Sequence, residues 1–69
     1  MDKTEIAKLE AYLKTRFGNQ KIALMHRPQA SDSVEFEIDG ETLGIVYRDD
    51  EDGDVCYHVQ LTVLAEDIS

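Results

Sequence analysis

Cys56 and His58 stand two residues apart, a thiol and an imidazole that a β-strand would turn to one face. Along a strand they would be about 6.6 Å apart, near enough to act on a single ligand. They supply two soft donors for a transition metal, whereas a structural zinc takes four and a catalytic zinc three. Glu37 and Glu35 are the carboxylates that the strand register described below brings nearest. A Cys–His pair can also begin a nucleophilic site, but the chain offers no evident third orienting group or oxyanion site. The second chemical feature is acidic. Asp49, Asp50, Glu51, Asp52 and Asp54 surround Gly53, and oxygen-rich loops of this kind hold Ca²⁺. With Gly53 at the sixth position of an EF-hand loop, Asp50 and Asp52 fall correctly. Arg48 would then occupy the first position and Val59 the twelfth, and the motif fails at both ends. The segment reads instead as a solvated hairpin turn that a basic partner could recognise. No catalytic residue, metal or cofactor is assigned.

Composition narrows the classes further. Chains below roughly 70–80 residues gain only about 3–5 kcal/mol from one core, and this chain has 69 residues. Its one cysteine excludes an internal disulfide. Fifteen acidic and seven basic residues give a formal charge of −8, which disfavours phosphate backbones and anionic membrane surfaces as partners. No apolar run approaches the roughly 18 residues of a spanning helix, and no apolar signal region follows Met1. The expectation is a cytoplasmic domain that is not an enzyme. The charge is uneven: residues 1–27 sum to +3 and residues 28–69 to −11.

The opening segment has the period of a helix. Ile6, Leu9, Leu13 and Phe17 recur at steps of three and four. Asp2 with Glu5 resembles a capping box, Lys14 and Arg16 suit the last turn, and Gly18 suits the residue after it. The spacing predicts a helix over 3–17. Beyond Asn19 the period becomes two, and strands are predicted at about 20–27, 33–39, 42–48 and 55–64.

A two-residue turn at 40–41 would set Phe36 opposite Ile45 and Val34 opposite Tyr47. A turn at 49–53 would set Arg48 opposite Asp54 and Ile45 opposite Tyr57. A turn at 28–32 would set Ile22 opposite Ile38 and Lys21 opposite Asp39. Apolar sets then meet on one face in all three hairpins. The fold class is α+β over a single domain, residues 1–69: one N-terminal helix packed on a four-stranded antiparallel meander, α-β-β-β-β. The helix is expected to cover most of one sheet face.

The run Tyr47-Arg48-Asp49-Asp50-Glu51-Asp52-Gly53-Asp54, with Tyr57 and Gln60 beyond it, resembles domain-of-unknown-function family 3126, small alphaproteobacterial proteins of unknown function. The likeness extends to Lys8-Leu9-Glu10-Ala11-Tyr12-Leu13, Arg27-Pro28 and Gly44-Ile45-Val46. The chain departs near its end, where Cys56, His58, Val59 and Leu61-Thr62 replace a Ser-Tyr-Asn-Phe-Gln-Met-type run. The resemblance implies a cytoplasmic bacterial protein and supplies no activity, cofactor or catalytic residue.

The outward sheet face is predicted as rows Met25–Glu35–Val46–Cys56 and Ala23–Glu37–Gly44–His58. Its apolar members interrupt the carboxylates, and Leu61 to Leu64 overhang the end of the sheet. A free apolar edge is either covered or used for strand addition. His26 is expected half-buried at the core margin. The leading expectation is a protein–protein interaction module or adaptor for a protein partner, with a basic surface suited to the acidic turn. The same strand or face would also serve a homodimer. The candidate binding residues are Met25, Glu35, Val46, Asp49, Asp50, Glu51, Asp52, Asp54, Cys56 and His58. The alternative is a nucleic-acid-binding module using Lys8, Tyr12, Lys14, Arg16, Lys21 and Arg27, which the net charge opposes.

Overall fold

The computed structural model describes residues 1–29 and 31–69. Its elements run α1 (Lys3–Phe17), β1 (Ile22–His26), β2 (Ser33–Ile38), β3 (Glu41–Asp49), β4 (Cys56–Leu61) and a short 3-10 turn at Ala65–Asp67. The four strands form one antiparallel sheet in the order β1-β2-β3-β4. This is the α+β meander expected from the periodicity.

Helix α1 starts where Asp2 accepts a hydrogen bond from the Glu5 N–H at 2.7 Å. It stops at Gly18, whose φ of 64° is left-handed backbone that a side chain would strain. Leu13 is its buried anchor, and Phe17 meets Phe36 edge-on with centroids 6.2 Å apart. Ile22, Leu24, Val34, Phe36 and Val46 complete the buried core, with Ile6, Leu9, Ile38, Leu43 and Tyr57 packed around it.

The first hairpin has the expected register, with Ile22 opposite Ile38 and Leu24 opposite Phe36. The amino group of Lys21 lies 3.9 Å from Asp39 across the strands. The turn predicted at 28–32 includes Ala30, which lies outside the described residues. His26, expected half-buried, is exposed.

The other two hairpins differ from expectation, for identifiable reasons. The turn between β2 and β3 is Asp39-Gly40, not Gly40-Glu41. Both residues have positive φ, 55° and 81°, as a type I′ hairpin requires. Ile38 therefore faces Glu41, and a bulge follows: Glu37 faces Thr42 whereas Phe36 faces Gly44. The extra residue, Leu43, reverses the alternation of β3. Val34 consequently pairs with Val46, not Tyr47, and Val46 is fully buried. Placing Val46 on the outward face was wrong; Ile45 and Tyr47 take that face.

Between β3 and β4 the register has moved by three residues, so that Asp49 faces Cys56, Tyr47 faces His58 and Val46 faces Val59. Arg48 faces Tyr57 rather than Asp54. Leu61 and Thr62 are held by the sheet instead of overhanging it, and the Thr62 N–H donates to the Leu43 carbonyl at 2.8 Å. Gly44 permits this course. A Cβ there would lie 1.8 Å from the Gln60 carbonyl oxygen and 2.9 Å from the Leu61 Cα, so the backbone of β4 occupies the space of a side chain.

Candidate interaction surface

The helix packs chiefly against β1 and does not cover the whole sheet. What it leaves open is the inner face of β4. A groove of about 520 Å³ runs between α1 and β4, lined by Glu5, Lys8, Leu9, Tyr12, Tyr57 and Val59 among others. Tyr12 is 60 % exposed although it stands on this wall, and Leu61 further along β4 is 50 % exposed. One end of the groove is fastened. Glu5 accepts the Tyr57 hydroxyl hydrogen bond, and its Oε2 lies 3.5 Å from the Arg48 Nε. That nitrogen is buried and has no well-aligned acceptor among the described residues, so the contact is an ion pair. Glu5 thus reaches β4 rather than turning back to cap its own helix. The carboxylate and partial burial push the Tyr57 hydroxyl above its ordinary pKa.

The two edges of the sheet are unlike. In an antiparallel pair, every second residue directs both its N–H and C=O to the neighbouring strand. The Asp39 N–H donates to the Lys21 carbonyl, so the outward groups of β1 belong to Ile22, Leu24 and His26. Glu10 of the helix accepts the Leu24 N–H at 2.8 Å and occupies that edge. On β4 the bond from Thr62 to Leu43 assigns His58, Gln60 and Thr62 to β3. Tyr57, Val59 and Leu61 then direct their backbone groups away from the sheet. Their side chains are also those on the groove face. Residues 55–65 contain no Asp, Glu, Lys or Arg, the side chains that normally guard an edge.

The outward face has a different arrangement from the predicted rows. Met25, Glu35, Ile45 and Gln60 form one row, and Ser33, Tyr47 and His58 another. Met25 is exposed and Glu35 half-buried, but Val46 lies in the core. Cys56 and His58 do share this face, with Sγ 3.6 Å from Nε2. Neither Glu35 nor Glu37 joins them. The third member is Asp49, whose Oδ2 is 3.3 Å from the same Nε2. The Asp49 Oδ1 accepts the Glu51 N–H at 3.1 Å. This bond first, and the imidazole second, hold the Asp49 carboxyl below its ordinary pKa. The Tyr47 ring stacks on His58 with centroids 5.1 Å apart. A nucleophilic triad needs the two imidazole nitrogens to serve different partners. Here both contacts fall on Nε2, which is not that geometry.

Of the remaining acidic-turn residues, Asp50 lies 3.9 Å from the Arg48 guanidinium. Glu51, Asp52 and Asp54 are exposed and lie beside the start of β4. Sequence reasoning missed Val59 as a surface residue, and it placed Tyr12 with the basic residues of the helix and Leu61 on an overhang rather than together beside one groove. The signal for Tyr12 was available: with Glu5 and Leu9 it forms a second helix stripe beside the Ile6–Leu13 face.

No helix among the described residues is long and apolar enough to cross a membrane. No curated protein and no solved structure matches the chain. A family model described as "Protein of unknown function (DUF3126)" matches residues 5–67. With that match spanning nearly all of its length, the chain belongs to the DUF3126 family.

Proposed function

We propose that this chain is a non-catalytic protein-interaction module that binds an extended segment of a basic protein partner by strand addition to β4. The observation that carries the reading is the bare, uncharged edge of β4 beside an open apolar groove. A strand paired to Tyr57, Val59 and Leu61 would place its own alternate side chains on the groove face. Main-chain bonds would supply affinity and the groove would select apolar residues. The flanks decide the partner's charge. The turn at 49–54 precedes β4 and Glu66 and Asp67 follow it, so basic residues at both ends of the incoming segment are favoured.

A second copy is the weaker occupant. Antiparallel self-pairing centred on Val59 would bring the 49–54 turn toward Glu66 and Asp67 of the other copy, between molecules each carrying −8. Nucleic acid is weaker still, because Lys14 and Lys21 lie near the carboxylates of Glu10 and Asp39. The exposed, unpaired thiol of Cys56 suits the reducing cytoplasm.

The test places a photo-crosslinking residue at Leu61 and, as a control, at Ala23 on the outer face of β1. The reading predicts a defined adduct from position 61 with a basic protein, formed at low salt and reduced at high salt. The adduct should map to an extended segment with basic flanks. Equal labelling from both positions, or adducts only with a second copy or with nucleic acid, would overturn it.

A further inference from the structure

The cluster of Asp49, Cys56 and His58 is separate from the groove and lies on the opposite face of the sheet. We propose that it is a binding site for a zinc-like divalent cation, with three protein donors and one position left to solvent. Each donor is placed by strand geometry. Asp49 and Cys56 are cross-strand partners, and His58 is the next outward residue on β4. One donor atom from each lies within 4.8 Å of the other two.

Two of the three donor separations, both measured to the imidazole nitrogen, suit a metal. An ion bound at about 2.3 Å from sulfur and about 2.0–2.1 Å from nitrogen or oxygen, in tetrahedral geometry, sets neighbouring donors roughly 3.3–3.6 Å apart. The thiol lies 3.6 Å and the carboxylate 3.3 Å from the imidazole nitrogen. Those two contacts converge on a single Nε2 atom. As a donor, Nε2 has one hydrogen and cannot make two full-strength bonds; as a ligand, its lone pair meets one ion that the other two donors share. The site is also braced from outside: the Glu51 N–H holds Asp49 Oδ1 and leaves Oδ2 for the ion, and Tyr47 stacks on the imidazole. Thiolate, imidazole and carboxylate together select zinc, cobalt or copper over Ca²⁺ and Mg²⁺. The neighbouring Asp50, Glu51, Asp52 and Asp54 raise the local cation concentration.

Cobalt(II) provides the direct probe. Titrated into the full chain with the thiol kept reduced, it should saturate at one equivalent. Intense visible bands of tetrahedral cobalt should appear with a thiolate charge-transfer band in the near ultraviolet, and zinc should displace both. Cys56→Ser should abolish the charge-transfer band, and His58→Gln should weaken binding by at least about ten-fold. Both positions are exposed, so far-UV circular dichroism should show each variant folded. Lack of saturable uptake of cobalt or zinc at tens of micromolar would overturn the proposal. Uptake unchanged in both variants would do the same, placing the ion on the acidic turn instead.

Discussion

The Leu24 N–H donates to the Glu10 carboxylate across 2.8 Å, and a helix side chain thereby takes the hydrogen-bonding position of a missing strand. That contact occupies the middle of the β1 edge, whereas no side chain among the described residues takes such a position on β4. Glu10→Ala should cost about 1–3 kcal/mol, because a part-buried donor loses a charged acceptor. Chemical denaturation should show the loss, and exchange of the Leu24 amide should accelerate.

A charge on the groove face should separate binding from folding. Val59 is 36 % and Leu61 50 % exposed, so Val59→Lys or Leu61→Lys should shift stability by only about 0.5 kcal/mol. Either change should weaken the segment captured from position 61 by about 2 kcal/mol or more, roughly thirty-fold. Isothermal titration calorimetry paired with thermal melts would read both quantities.

Gly44→Ala should do the reverse. The added methyl group would overlap the Gln60 carbonyl, a backbone atom that cannot swing aside. A loss of about 3 kcal/mol is expected, with β4 detaching from β3 before the rest unfolds. Amide exchange at His58 and Gln60 would register the detachment.

The raised pKa of Tyr57 links the fold to alkaline pH. A pKa higher in the folded than in the unfolded state means that the protonated phenol is favoured by folding. The Tyr57–Glu5 contribution is therefore present below the ordinary tyrosine range and lost as pH rises through the folded value. Wild type should lose more stability than Tyr57→Phe across that interval in denaturant titrations. Equal losses would show that the hydroxyl contact does not hold the helix to β4.

Alternation and caps made the helix, the meander and the first register legible in the residues. The second register was not, because Asp39-Gly40 and Gly40-Glu41 both offer glycine to a two-residue turn. The choice between them moves the pairing by two residues, which keeps every side chain on its face; the odd step at the bulge is what moves Val46 from surface to core. Leu43 then supplies a bulge that pattern matching cannot place, since two apolar residues and a glycine are compatible with either parity. The same shift determined the outward cluster. Cys56 and His58 were recognisable from their spacing, but Asp49 joins them only in the observed β3–β4 register. The open groove was hidden for another reason: helix length alone does not say over which strands the helix will settle.

Residue-resolved hydrogen exchange tests the central claim most directly, on the chain alone and in the complex captured from position 61. In the free chain, the amides of Tyr57, Val59 and Leu61 should exchange rapidly while those of His58, Gln60 and Thr62 are protected by β3. In the complex, the first three should become protected in the same alternating pattern. Slow exchange of all six in the free chain, or unchanged exchange of Tyr57, Val59 and Leu61 in the complex, would contradict strand addition at β4.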